Sequence, residues 1–166
     1  WPQTIDGLTY YFDSNGRQVK SERRKVNGKS YFYDPDNGAL VTNRLVTFKA
    51  GRFIPEENYA KEIRFDEAPY ANYDNNEHPE LERYYLGTDG LPVTGWQTIN
   101  GNRYFFQDDG NMVVHRFFNN YYFYNDGTIA RNRRLNIPTH YIMREFPNIY
   151  EFDNDGVGKF ISSDFK

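Results

Sequence analysis

The sequence predicts an all-β fold, a β-solenoid of stacked short β-hairpin repeats with an inserted acidic segment. Three observations lead there: a Tyr followed six residues later by Gly recurs along the chain, turn-forming pairs precede most copies, and aromatic residues outweigh the usual aliphatic core formers. The 166 residues include 15 Tyr and 14 Phe, and aromatics make up 19% of the total. Such a chain buries thin aromatic layers between polar turns rather than one central aliphatic core.

Tyr10 and Gly16 frame "YYFDSNG", Tyr84 and Gly90 frame "YYLGTDG", and Tyr104 and Gly110 frame "YFFQDDG". Tyr121 and Gly127 frame "YYFYNDG", Tyr150 and Gly156 frame "YEFDNDG", and Tyr31 to Gly38 carries one extra residue in "YFYDPDNG". Fixed-period self-similarity marks a repeat array in which each unit buries its face only against its neighbours. Ahead of the aromatic triplets stand Asp6 and Gly7, Asn27 and Gly28, Asn100 and Gly101, and a weaker pair, Asn119 and Asn120. Asn-Gly and Asp-Gly favour the two positive φ angles of a type I′ turn, so each unit reads as a hairpin. Its first strand is residues 3–5, 24–26 or 97–99, and its second is the triplet.

The aligned Tyr residues lie 21, 53, 20, 17 and 29 apart. Residues 1–53 therefore hold two hairpins and the start of a third, with "VTFKAGRF" at 46–53 a degenerate hairpin start. Residues 54–83 form an insert, and 84–166 hold the third to sixth units, the last degenerate. The insert has nine acids against three bases, a net of −6 that leaves +3 for the rest of the chain. Its opening "PEENYAKEIRF" places Pro55, Glu56 and Glu57 as a helix first turn, with Tyr59 and Ile63 on one face, which predicts one short helix. The acidic surface is also a candidate docking face for another domain, and a spacer or docking module is the alternative to ligand binding.

Composition excludes several function classes. The net charge is −3 and the bases are scattered, so no positive stripe faces phosphates and a nucleic-acid partner is not expected. No Cys is present, which removes disulfides and thiolate chemistry and suits a secreted bacterial surface protein. No apolar run approaches the roughly 18 residues that span a bilayer, and no membrane partner or signal peptide is expected. The abrupt start at Trp1 gives the expectation of a piece of a longer protein.

Paired-carboxylate glycoside chemistry needs two acids held about 5–9 Å apart in a deep cleft, which short hairpins do not offer. Asp13, Asp34, Asp108, Asp109, Asp126, Asp153 and Asp155 fall in the recurring turns, where Asp is selected for local hydrogen bonds. "DPDNG" and "DNDG" begin like calcium loops, but the twelfth positions hold Leu45 and Asp164 rather than Glu. His78, His115 and His140 show no ligand spacing. No catalytic residue, metal or cofactor is expected.

Strand side chains alternate faces, so Tyr10 and Phe12 oppose Tyr11, and Tyr104 and Phe106 oppose Phe105. One face can pack between hairpins while the other offers a flat ring in each repeat, the arrangement that a sugar's C–H face and hydroxyl rim call for. The alternative is that both faces are covered by the curvature of the solenoid.

The stretches "GWQTINGNRYFFQDDGNMV" at 95–113 and "PQTIDGLTYYFDSNGRQVKS" at 2–21 closely resemble the glucan-binding repeats of glucansucrases, within the wider class of cell-wall and choline-binding repeats. The similarity is strongest in residues 2–44 and 84–131. It implies a secreted hairpin solenoid that binds α-glucan polysaccharide or oligosaccharide and accompanies the catalytic domain of a parent enzyme, without being catalytic itself. Carried onto matching positions, one carbohydrate pocket pairs Gln97 and Tyr104 with Tyr121 or Tyr122, with Trp96 beside it. A second pairs Gln3 and Tyr10 with Tyr11 and Lys20. Arg23 and Arg24 stand where Trp96 and Gln97 do, the third unit is interrupted, and Glu151 enters the last triplet, so these units are expected to be structural. Choline-binding repeats are similar but carry a Trp directly before the Tyr pair. Here Thr9, Ser30, Arg83, Arg103 and Asn120 hold that place, and no aromatic box is expected from it. Clostridial toxin repeats share the same hairpin logic.

Overall fold

The computed structural model describes residues 1–65, 78–141 and 144–162. Six hairpins follow one another. The first pairs β1 (Pro2–Ile5) with β2 (Leu8–Tyr11), and the second pairs β3 (Glu22–Val26) with β4 (Lys29–Tyr33). In the third, β5 (Arg44–Lys49) pairs on one side with β6 (Arg52–Ile54) and on the other with β7 (Leu81–Leu86). Between β6 and β7 run a 3-10 turn at Glu56–Asn58 and a one-turn helix, α1 (Tyr59–Glu62).

The fourth hairpin is β8 (Gly95–Ile99) with β9 (Asn102–Phe106), and the fifth is β10 (Arg116–Phe118) with β11 (Tyr121–Phe123). In the sixth, β12 (Arg133–Asn136) pairs with β15 (Ile149–Phe152) around an inner hairpin of β13 (Thr139–Tyr141) and β14 (Arg144–Phe146). The last strand, β16 (Gly158–Ser162), adds to the free edge of β15.

The turn chemistry works as the residue types dictate. Asn100 and Gly101 have φ of 51° and 82°, the paired positive values of a type I′ turn, and Asp6 with Gly7, Asn27 with Gly28, and Asn119 with Asn120 repeat it. Ala50 and Gly51 adopt the same pair of angles at the tip of β5 and β6, so "VTFKAGRF" is a full turn-closed hairpin. In an uninterrupted unit Ile99 pairs with Asn102 across the turn, and in the third unit Lys49 pairs with Leu81. Residues 50–80 thus stand where two residues usually do. The same holds for 137–148 in the sixth unit, where Asn136 pairs with Ile149.

The expected short helix is present, with Tyr59 and Ile63 buried. The middle of the acidic insert, 66–77, lies outside the described residues. No helix among those described is long and apolar enough to cross a membrane.

Packing runs from hairpin to hairpin. The third residue of each triplet is sealed from the second unit onward: Tyr33, Leu86, Phe106, Phe123 and Phe152 are all under 5% exposed. Burying a ring or branched chain of this size contributes about 1.5–3 kcal/mol each. Trp96 and Phe105 of the fourth hairpin meet Tyr121, Phe123 and Phe118 of the fifth, with ring centroids 4.7 to 5.9 Å apart. Phe117 of the fifth meets Tyr150 of the sixth at 4.7 Å, and Tyr11 of the first meets Tyr33 of the second at 5.7 Å.

Of the two readings of the strand faces, these contacts favour the covered one. Both faces of an interior hairpin are used in stacking, because one face of each hairpin receives the opposite face of the next; no whole face is left free. What stays open is the rim, where the first Tyr of each triplet is half-buried. The turn after the triplet closes each layer. Gly127 sits so close to the preceding unit that a Cβ would lie 2.4 Å from Met112 Sδ and 3.1 Å from a Tyr104 ring carbon.

Candidate functional site

Strand alternation decides how the sequence candidates are grouped. Gln97 pairs across the hairpin with Tyr104, and Trp96 pairs with Phe105 on the opposite face. Trp96 does meet Tyr121, at 4.7 Å, while Tyr122 fills core beside Phe117, Ile137 and Phe152 at 5% exposure. Gln97 Nε2 donates to the Thr94 carbonyl. The first expected constellation is therefore divided: Trp96 and Tyr121 come together, and Gln97 and Tyr104 lie on the other side of the same ribbon.

The second constellation divides in the same way. Gln3 pairs with Tyr10, whereas Tyr11 turns to the second hairpin, against Tyr33 and under the Arg24 guanidinium at 5.9 Å. Lys20 reaches forward to donate to the Asp36 carbonyl.

A groove of about 720 Å³ opens between the second and third hairpins, in units expected to be structural. Arg23, Lys29, Ser30, Tyr31 and Phe32 line one side, Phe48, Glu82, Tyr84 and Leu86 the other, and Asp108 and Asp109 reach in from the fourth unit's turn. Its size falls within the roughly 300–1,000 Å³ of ligand clefts. Arg23 donates from both terminal nitrogens to Glu82, at 3.3 and 3.2 Å, and its guanidinium lies 4.2 Å from the Phe48 ring centroid. Tyr84 donates its hydroxyl to Glu82 at 2.7 Å. Burial first, then this bond to a carboxylate, raises the Tyr84 phenol far above its ordinary value and keeps it a donor.

A second groove of about 500 Å³ has the same build between the fourth and fifth hairpins, lined by Phe105, Gln107, Phe118 and Asn119. Asp108 and Asp109 line it too, so the two grooves share a wall. Each combines exposed ring edges with acids, amides or hydroxyls at the rim.

Other acids keep the turn role. Asp13 Oδ1 accepts from the backbone of Asn15 and Arg17, Asp126 from Thr128, and Asp153 from Asp155 and Val157. Among the described residues no group of His and acids could hold a metal ion. The histidines, distant in sequence, are not all distant in space: His78 and His115 both lie against Phe65, at 5.0 and 4.7 Å. His115 Nδ1 is bonded to Asn125 Oδ1, and His78 Nε2 to the Arg64 carbonyl.

The described part of the insert packs on its own chain. Tyr59 donates to the Asn125 carbonyl, and buried Arg83 pairs with Glu56 and covers the Tyr59 ring at 3.8 Å.

The model of the choline-binding repeat matches residues 2–45 and 93–133, half of the chain. The chain belongs to the choline-binding repeat family. Among curated relatives, glucosyltransferase-I of Streptococcus downei is 33% identical over 112 residues, covering 67% of this chain and 5% of that protein. Glucosyltransferase-S of Streptococcus mutans is 31% identical over 158 residues, 87% of this chain and 9% of that protein. The chain thus spans less than a tenth of the length of either enzyme. Among solved structures, choline-binding protein F of Streptococcus pneumoniae is 23% identical, with a TM-score of 0.48 over 95% of this chain and 39% of that one.

Proposed function

We propose that this choline-binding-repeat chain is a non-catalytic carbohydrate-binding module that holds α-glucan, dextran-like in linkage, as part of a secreted or surface-attached glucosyltransferase of a Gram-positive bacterium. The observation that carries the reading is the groove between the second and third hairpins. Its half-buried rings, Tyr31 and Tyr84, stand beside a dense set of donors and acceptors, Arg23, Lys29, Ser30, Glu82, Asp108 and Asp109. Rings supply stacking area for the C–H face of a pyranose, and the charged rim groups bind its hydroxyls. The similarity to two streptococcal glucosyltransferases supports a glucan over other polysaccharides.

The paired grooves set the mechanism. Each makes a shallow contact, and because Asp108 and Asp109 belong to both, one polymer chain can occupy the two at once. Linking two weak contacts raises retention by effective concentration without any new interaction. Gln3 with Tyr10, and Gln97 with Tyr104, are ring-and-amide pairs at half-open rims and serve as further weak contacts on the same polymer.

Retardation of the chain in gels containing dextran, set beside titration with isomaltotriose, tests this. Retention by the polymer at site concentrations where the trisaccharide does not bind is the expected result. The Tyr84→Ala variant should lose most of the retardation while keeping its far-UV spectrum. Equal site affinity for trisaccharide and polymer contradicts the linked-groove mechanism, and free migration in dextran contradicts the glucan reading.

A further inference from the structure

A stack of repeats is held by contacts between nearest neighbours, and each further unit adds one more interface in series. The insert departs from that plan, because its described part is fastened to two units that are not adjacent in the array. Its anchor on the third unit is ionic. Glu56 pairs with buried Arg83 at 3.1 Å, the Arg83 guanidinium lies 3.8 Å from the Tyr59 ring centroid, and Arg52 donates to Glu62 at 3.1 Å. Its other anchor is the fifth unit. Tyr59 donates its hydroxyl to the Asn125 carbonyl at 2.7 Å, Asn125 Oδ1 bonds His115 Nδ1 at 2.7 Å, and the Phe65 ring stacks on that imidazole at 4.7 Å with 27° between the planes. The fourth unit lies under the span. A cavity of about 250 Å³ separates the two, with Phe65, His78 and Pro79 on the insert's side and Gln107, Asn111 and Met112 on the fourth unit's. Arg103 also skips a unit, but by one exposed contact of 3.5 Å to the Asp155 carbonyl.

We infer that the insert is a splint between the third and fifth hairpins, with Tyr59 and Phe65 as positioning residues that hold the two grooves at a fixed separation. The third hairpin is one wall of the groove of about 720 Å³, and the fifth is one wall of the groove of about 500 Å³. A direct tie between those walls replaces two interfaces in series by one. Independent interfaces add their variances, so without the tie the spread in separation grows roughly 1.4-fold. The volume that one groove explores about the other scales as the cube of that spread, so the effective concentration for a polymer bound in both falls roughly threefold. This second consequence rests on the carbohydrate reading; the splint itself does not.

The test is pulsed electron paramagnetic resonance on the whole chain, spin-labelled at two introduced cysteines, Thr88→Cys in the third unit and Arg131→Cys in the fifth. The chain has no Cys of its own, both positions are exposed, and Ala130 beside the second is bonded through its backbone to Tyr122. Tyr59→Phe removes the bond to Asn125 and leaves the ring beneath Arg83; adding Phe65→Ala removes the stack on His115. The distance distribution is expected to broaden in the single variant and to reach roughly 1.4 times the parent's width in the double variant. Gly7→Ala, whose added Cβ meets nothing within 4 Å, carries a left-handed backbone penalty in the first hairpin and should leave the width unchanged, which separates a lost tie from lost stability. In dextran gels the double variant should be retarded roughly threefold less, while its isomaltotriose titration stays that of the parent because each groove keeps its lining. Equal widths in the parent and in either folded variant overturn the inference, whatever the gels show. A broadened distribution with no dextran retardation of the parent keeps the splint and sinks the glucan reading.

Discussion

Substituting Ala for Gly127 and, separately, for Gly101 isolates the stacking of successive units from the backbone cost of a left-handed residue. Both glycines have φ near +85°, 90° and 82° respectively, so each Ala variant carries the penalty of a Cβ in that region, about 1–2 kcal/mol. Around Gly101 nothing lies within 4 Å of the added Cβ. At Gly127 the same atom meets Met112 Sδ at 2.4 Å and Tyr104 at 3.1 Å, and the fourth unit must give way. Met112 is only 5% exposed and has little room to retreat, so overpacking adds about 1–3 kcal/mol. A difference of about 2 kcal/mol moves the melting midpoint of a chain this long by roughly 4–8 °C. Thermal melts followed by far-UV circular dichroism should therefore place Gly127→Ala clearly below Gly101→Ala. Equal midpoints would refute the claim that the turn of one unit is wedged against the preceding one.

Tyr59 gives an alkaline signature. Burial, opposed by the nearby Arg83 charge, pushes its phenol from 10 up to about 12. A pKa raised on folding contributes stability in full below about pH 10, and that contribution drains away as pH climbs toward about 12. Urea midpoints of the parent should fall through that window relative to Tyr59→Phe, and parallel curves would place the phenol in solvent. Replacing residues 50–80 by Asn-Gly should restore an uninterrupted third hairpin, because Lys49 already faces Leu81 in two-residue register. The shortened chain is expected to lose stability, since Phe53 no longer covers Phe32 and Phe48, yet to remain retarded by dextran. Loss of retention in a folded product would put the insert in the binding machinery.

The repeat was legible because its parts are local. Asn-Gly and Asp-Gly pairs fix φ with no tertiary help, and the triplet alternates faces whatever surrounds it, so hairpins, turns and the short helix at Tyr59–Glu62 all follow from residue type. The place of the insertion was not legible. "RLVTFK" lacks the repeat motif, and Ala50 with Gly51 closes a hairpin of its own, which hides that β5 also pairs with β7 across 31 intervening residues. The inner hairpin at Thr139–Phe146 is hidden for the same reason. Site grouping was not legible where neighbours in sequence alternate between strand faces: Tyr10 and Tyr11, or Trp96 and Gln97, point to opposite sides of one ribbon. Arg23 was set aside as a departure from the Trp96 pattern, yet Glu82, the residue that gives it meaning, lies 59 positions away.

Chemical-shift mapping with an isomalto-oligosaccharide of several glucose units addresses the central claim most directly: that rings left open at the rims between stacked hairpins hold the sugar. The largest changes are expected at the Arg23 side chain, Lys29, Tyr31, Tyr84 and the Asp108–Asp109 turn, with a second set at Phe105 and Phe118. Changes confined to the outer turns, or none at saturating sugar, would contradict it.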